Sequence, residues 1–249
     1  MSERVWTAAL LIIGDEILSG RTQDRNLAVL ARWLNTQGIR LREARAVADD
    51  MEAIGAAVNA LRAAYDYVFT TGGIGPTHDD ITVDAVAAAL GLGVSHHPRA
   101  VEILTGYYGA ELTDARLRMA RTPDGAELIE NARTGAPGIR LGNLFILAGV
   151  PSIVQSMLDA LEGKLEGGQP MLSRAVGAWT AESRVADLLR RVEKSHDGLA
   201  IGSYPFWRDG RTGANFVLRS VDEAVLCRAS DELKAALCAM GLEPVDGEI

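Results

Sequence analysis

The chain has 249 residues and a formal net charge of -8, with 33 Asp and Glu against 25 Lys and Arg. That balance excludes a general nucleic-acid surface, which needs clustered Lys and Arg, and no apolar run reaches the roughly 20 residues of a membrane span. Hydrophobic residues make up 48% of the chain, enough for one moderate domain and a smaller one, and Met1-Ser2-Glu3-Arg4 lacks a signal-peptide pattern, so a cytoplasmic protein is expected.

Residues 8–13 form a continuous apolar run of buried-strand type that stops at Gly14-Asp15-Glu16. A helical pattern over 25–37 leads into the strand pattern of 41–48, which ends in Asp49-Asp50 before a helix over 51–62. A strand over 67–71 and a helix over 81–90 follow. This alternation predicts an α/β fold with a mostly parallel sheet, right-handed crossovers and helices on both faces, hence three layers. Further on, the pattern predicts helices over 98–108 and 115–119, a turn at Gly135-Ala136-Pro137-Gly138, a buried strand over 144–148 and a helix over 153–165.

Glu166-Gly167-Gly168-Gln169-Pro170 reads as a linker, dividing the chain into residues 1–166 and 171–249. The second part predicts strands over 175–179, 199–204 and 215–220 and helices over 182–193 and 222–240, a small α+β unit of order βαββα. It has no acid pair beside a glycine loop, which suits a role in oligomerisation or in shaping the edge of the neighbouring site. Cys227 and Cys238 fall eleven residues apart in one helix, about 16 Å, beyond the reach of a disulfide.

The chemistry concentrates in Thr70-Thr71-Gly72-Gly73-Ile74-Gly75-Pro76-Thr77-His78-Asp79-Asp80-Ile81-Thr82. A glycine loop between a strand and a helix lets backbone N–H groups approach a phosphate, and adjacent carboxylates can hold a cation that offsets its charge. It is neither a P-loop nor a Gly-x-Gly-x-x-Gly fingerprint. Three successive strands end in an acidic pair, Asp15-Glu16, Asp49-Asp50 and Asp79-Asp80, and ligands of open parallel sheets bind outside the carboxyl ends of strands. Helix capping accounts for one Asp of each of the last two pairs. The surplus calls for a divalent metal, Mg²⁺ first, with Mn²⁺ and Co²⁺ as further candidates, held by Asp49, Asp50, Asp79 and Asp80.

In this reading Asp49 and Asp80 orient a water or take its proton. Gly14, Asp15, Glu16, Gly72, Gly73, Gly75, Pro76, Thr77 and Thr82 line the ligand and its phosphates. Asp15 and Glu16 fit a ribose or metal contact and equally a turn after Gly14, and Thr77 and Thr82 fit helix-start bonding as well as phosphate binding. Arg21 and Arg25 are candidate cations near the first strand end, with solvated surface positions as the alternative. His78, His96 and His97 read as loop residues, and Trp6, Trp33, Trp179 and Trp207 as core or interface residues.

The first 165 or so residues resemble the molybdopterin-binding fold of molybdenum-cofactor biosynthesis proteins, and most closely the N-terminal region of the competence/damage-inducible protein A family. The resemblance is carried by Gly14-Asp15-Glu16-Ile17-Leu18-Ser19-Gly20, Asn26, the glycine loop through Thr82, Asn131 with Gly135-Ala136-Pro137-Gly138, and Gly149-Val150-Pro151. The second unit is similar to that family's KH-like domain, with Ile201-Gly202-Ser203-Tyr204-Pro205 matching its turn. The resemblance implies binding of molybdopterin or a nucleotide, Asp49 and Asp80 as the catalytic-type aspartates of the adenylyltransferase branch, and a homo-oligomer. It implies cleavage of ADP-ribose or a related nucleotide diphosphate, with molybdopterin binding or adenylylation, or a nucleotide-binding module without turnover, as alternatives. Two positions depart from the family pattern: Ala148 replaces a proline, and Ile153 an acidic residue. The nicotinamide-nucleotide deamidase domain of longer members lies outside this sequence, so that activity is not expected.

Overall fold

A computed structural model describes residues 4–249. The chain divides between Gly168 and Gln169 into two compact units, each with its own core. In the first, β1 (Trp6–Ile13) leads through α1 (Asp15–Leu18) and α2 (Asn26–Thr36) to β2 (Ile39–Val47), and α3 (Met51–Ala64) leads to β3 (Tyr67–Thr71). After the glycine loop come α4 (Thr82–Leu90), β4 (Val94–His96), α5 (Pro98–Tyr108), α6 (Asp114–Leu117), β5 (Arg121–Pro123) and β6 (Glu127–Ile129). The hairpin of β7 (Gly138–Leu141) and β8 (Leu144–Leu147) and then α7 (Pro151–Asp159) complete the unit.

The main sheet has the order β2-β1-β3-β8-β7-β6. β2, β1, β3 and β8 run parallel, and β7 is antiparallel to both its neighbours. The unbroken apolar strands follow from burial on both faces. Ala8, Leu10, Phe69, Phe145 and Leu147 pack against Leu30 and Leu34 of α2 and Val154 and Leu158 of α7. The alternate residues Ala9, Leu11, Val68 and Ile146 pack against Ile54 and Val58 of α3 and Val86 of α4. The unit is therefore the expected three-layer α/β fold with a mixed, mostly parallel sheet. Because β1 connects outward to β2 on one side and β3 to β8 on the other, the strand order reverses between β1 and β3, where ligands of open α/β sheets bind.

Several local expectations are corrected. The helix predicted over 153–165 begins at Pro151, which suits a first helical turn, and ends at Asp159, giving way to tight turns that close at the positive-φ Gly163. Strands β4 to β7 are short and carry little periodicity. β7 is held on the sheet by the turn at Gly142, whose positive φ suits glycine.

The second unit contains β9 (Leu172–Ala178), α8 (Glu182–Ser195), β10 (Ala200–Arg208), β11 (Arg211–Ser220), α9 (Glu223–Ala239) and β12 (Val245–Asp246), with an antiparallel sheet of order β10-β11-β9-β12. Residues 205–214, outside the predicted strands, belong to a hairpin whose turn is Asp209-Gly210, both with positive φ, the type I′ geometry that matches strand twist. Ile201 to Pro205 lie in β10 as extended backbone and make no turn. Pro205 is tolerated because β10 is an edge strand. Trp207 is 72% exposed and belongs to no core, whereas Trp33 is buried. Among the described residues no helix is long and apolar enough to cross a membrane.

Gly72 ties these elements together. It has φ +105°, and a Cβ there would lie 2.1 Å from the carbonyl oxygen of Ile13. Gly72→Ala is therefore expected to cost about 3 kcal/mol or more, through a strained φ and a backbone clash. Gly20→Ala, also at positive φ but in open space, should cost only about 1 kcal/mol. Urea unfolding of the two variants against the parent chain measures the difference.

Candidate functional site

Three strand ends converge at the reversal point of the sheet. Gly72, leaving β3, donates its N–H to Leu147 O of β8 at 3.3 Å and lies against the Ile13 carbonyl of β1. The loop then turns into α4 through Thr82, which is fully buried and donates its hydroxyl to Gly72 O at 2.9 Å and its N–H to Gly73 O at 3.0 Å. Thr82 thus holds the loop from inside instead of facing a phosphate. The glycines serve the same packing: a Cβ on Gly73 would lie 2.2 Å from Thr82 Oγ1, and one on Gly75 would lie 2.7 Å from Asp80 Oδ2.

The six carboxylates separate into three groups. Asp50 caps α3, accepting from Ala53 N at 2.8 Å. Asp80 caps no helix, and neither does Asp79; α4 begins after Ile81 without a side-chain cap. Instead Asp80 Oδ2 accepts from the Thr77 N–H at 2.8 Å and the Thr77 hydroxyl at 2.6 Å, so the loop is closed by its own carboxylate. The expectation that one Asp of each pair would cap holds for Asp49-Asp50 and fails for Asp79-Asp80. Asp15, Glu16, Asp49 and Asp79 line a common recess of about 430 Å³ with Arg21. Asp49 Oδ2 accepts from the Asp15 N–H at 2.9 Å, which locks the ends of β1 and β2 together.

Burial, and then the negative charges of Asp15, Glu16 and Asp79, push the Asp49 carboxyl above its usual range, against the Asp15 N–H, which pulls it down. Asp79 is held below its usual range by polar groups of its own loop, the nearby Thr77 side chain first and its own backbone N–H next. The two carboxyls of one recess are thus driven apart in acidity, the pattern that divides acid and base roles between like groups. Among the described residues no three His, Cys, Asp or Glu side chains form a ready-made metal cluster.

Asp49 and Asp80, paired by the sequence reading, do not share a cavity. Asp80 lies in an adjoining cleft of about 650 Å³, floored by Gly73, Gly75 and Pro76 and walled by Met119, Ile153 and Met157. Glu16 lines both spaces and links them. Ile153, at the position where the family pattern carries an acid, adds an apolar wall to this cleft and also packs against the core. Arg116 lines the cleft too, seated over the Tyr108 ring at 4.4 Å from its centroid. Nothing in the sequence points to Arg116, because α6 is far from the glycine loop in the chain and carries no motif. Arg21 and Arg25 are exposed and line a third space on the other side of Glu16. His97 accepts from Arg99 N and caps α5, a structural role.

Because the folded-state pKa of Asp49 is raised, its ionised form costs stability at pH values above that pKa, and the cost disappears below the unfolded-state pKa. Asp49→Asn keeps an oxygen acceptor for the Asp15 N–H and removes the charge. It is expected to raise Tm at pH 7, with the gain shrinking as pH falls through the carboxylate range; scanning calorimetry across pH 3 to 8, as a range of about five units, measures this.

With this geometry in place, the similarities to known proteins can be read. Residues 9–166 match the family described as "Probable molybdopterin binding domain", and residues 170–246 match "FAD synthase, middle domain". A protein of Aeropyrum pernix is 34% identical, covering 99% of this chain and 96% of its own. Protein Ta0487 of Thermoplasma acidophilum is 33% identical over 80% of each chain. The crystal structure of a CinA protein of unknown function from Thermoplasma acidophilum is 35% identical, covers 64% of this chain and 98% of that one, and superposes with a TM-score of 0.60. This chain belongs to the molybdopterin-binding domain family, and its first unit is CinA-like.

Proposed function

We propose that the first unit hydrolyses the pyrophosphate bond of a nucleotide diphosphate of the ADP-ribose type, with a divalent metal. One observation carries this reading: a recess of four carboxylates joins a glycine-loop cleft through Glu16, at the reversal point of the sheet. A diphosphate lying along Gly73, Gly75 and Pro76 would place its anhydride beside both spaces. Such a ligand is strongly anionic, and the recess alone would repel it.

The donor set fits a hard cation. The recess offers carboxylate oxygens, which suit Mg²⁺ or Mn²⁺, and positive charge there would favour the ionised form of Asp49 that burial first, and then its acidic neighbours, disfavour. Asp49, Asp79, Asp15 and Glu16 would hold it, with the substrate's own phosphate oxygens completing the shell, as Mg²⁺ sites usually arrange. When bound, it supplies charge neutralisation and a more acidic water. The chain's residues do the rest. Asp49, fixed in place by the Asp15 N–H, is suited to orient the attacking water beside the cation. Asp80, pinned by Thr77, keeps the glycine loop in the shape that receives the phosphates, and Arg116 offers the cleft a cationic side chain.

A second reading, molybdopterin binding or adenylylation, is favoured by the apolar wall of Met119, Ile153 and Met157, which suits a flat pterin. The test is a hydrolysis screen of the purified chain against ADP-ribose, FAD and NAD with Mg²⁺, Mn²⁺ or Co²⁺. Metal-dependent release of AMP is expected, reduced about 100-fold or more in Asp49→Asn and in Asp80→Asn. No turnover with any pair, together with copurified pterin fluorescence, would replace this reading with the second.

A further inference from the structure

In the second unit the order βαββαβ places α8 and α9 on one face of the sheet, where Val176, Ala214, Phe216 and Leu218 meet them. Successive strand residues point to opposite faces. The register of β10 against β11 therefore assigns Tyr204, Phe206, Arg208, Arg211 and Arg219 to the other face, which no helix of this unit covers. Two glycines shape that face. A Cβ on Gly213, opposite Phe206, would lie 2.3 Å from Phe206 Cζ, and one on Gly202 would lie 3.0 Å from Tyr204 Cε2. Both rings thus lean over the sheet into space that only glycine leaves. Tyr204 is nevertheless 48% exposed, and Phe206, half-buried, meets Trp179 edge to face at 5.3 Å.

Each arginine of this face is held at a ring. Arg208 lies 5.2 Å from the Phe206 ring centroid, Arg211 lies 4.5 Å from that of Trp179, and Arg219 donates to the Tyr204 hydroxyl. None of the three has a carboxylate partner among the described residues, whereas Arg174 and Arg190 of the same unit pair with Glu223 and Asp187. No Asp or Glu stands on this face of β9, β10 or β11, and the acid nearest in sequence, Asp209, sits in the hairpin turn. The net charge of -8 rules out a general polyanion surface, but it is an average over all faces, and the cations here are unopposed. A guanidinium stacked on a ring keeps its edge N–H groups free for a phosphate.

We propose that this face binds single-stranded nucleic acid, with bases stacking on Tyr204 and Phe206 and the phosphates meeting Arg208, Arg211 and Arg219. Two residues apart on one strand, the rings are separated by about 7 Å along β10, so each can take its own base. A duplex keeps its bases stacked inside, out of reach of the rings, and offers only its phosphates. Two copies of this face brought together would set arginine against arginine. An acidic peptide would satisfy the arginines and leave the rings without a flat partner.

The test is fluorescence anisotropy of a labelled oligo(dT) of about 10 nucleotides with the full chain at low salt, beside the same strand annealed to oligo(dA). The single strand is expected to bind about 10-fold tighter or more than the duplex. Its log K should fall against log salt with a slope of about -2, from three phosphate contacts at about 0.7 each. Arg208→Gln, Arg211→Gln and Arg219→Gln combined should abolish binding. Tyr204→Ala, at an exposed position, should weaken it about 5-fold or more without changing the salt slope. Arg190→Gln, exposed on α8, removes the same charge elsewhere and should change nothing. No binding at low salt, equal binding of the duplex, or unchanged binding in the triple variant would overturn the assignment. So would displacement of the strand by AMP as effective, per nucleotide, as by unlabelled oligo(dT), which makes the face a mononucleotide site. Self-association in analytical ultracentrifugation that Tyr204→Ala dissolves, with no strand bound, would give the face to a second copy instead.

Discussion

The site depends on a close approach of backbone to backbone at Gly72. The ends of β1, β3 and β8 must come together for the reversal of strand order to become a binding surface, and the space between them admits no side chain at that position. Gly149 is equally near, since a Cβ there would lie 3.4 Å from Gly72 Cα, and Asn26 clamps the Gly149 carbonyl from α2. Thr82 closes the arrangement from the other face through the Gly72 carbonyl. Residues from the two helical layers therefore each grip one of two closely approaching segments, at Gly149 and at Gly72. The glycine loop owes its shape to internal packing as much as to any ligand.

Electrostatics explain why such a rigid frame surrounds charged groups. Carboxylates collect where β1, β2 and the glycine loop end, next to helix N-termini whose free N–H groups favour negative charge. Asp50 uses that advantage in full as a cap, and Asp15 and Asp49 exchange backbone hydrogen bonds across the recess. Their neighbours Glu16 and Asp79 have no such compensation from a backbone partner across the recess, and Asp49 bears the resulting repulsion. The fold tolerates this cost at Asp49, whose burial and charged neighbours both disfavour its ionised form.

The second unit obeys different constraints. Its core is formed by one face of an antiparallel sheet against α8 and α9, with Val176, Phe216 and Leu218 meeting Val185, Leu189, Leu226 and Leu233. The β10 and β11 hairpin extends past the register of β9, which pairs only with Ala214 to Ser220. Beyond that point Trp179 meets Phe206 edge to face, and Arg211 stacks on Trp179 at 4.5 Å. Aromatic and cation–π contacts thus substitute for a third strand at the hairpin end.

Sequence alone was sufficient for the layers, the parallel strands and the location of the glycine loop, because those features rest on local period, on apolar runs and on turn chemistry that neighbouring residues encode. It also anticipated a cap within the Asp49-Asp50 pair, since capping acts within one turn of a helix, but only the structure shows that Asp50, read as a metal ligand, is the residue that caps. It could not assign the remaining carboxylates: whether Asp49 meets Asp79 or Asp80 depends on which way a loop folds back, and the Thr77 contact turns Asp80 toward the glycine cleft. Thr82 looked like a phosphate ligand because its position after a glycine loop is the same for both roles; only packing shows its hydroxyl bonded to Gly72 O. The β10 and β11 hairpin was shortened because Pro205 counts against a strand until its edge position is known. The gathering of Tyr204, Phe206, Arg208, Arg211 and Arg219 on one face was beyond any sequence reading. Sharing a face is a property of strand register, and it exists only once the turn at Asp209-Gly210 has paired β10 with β11.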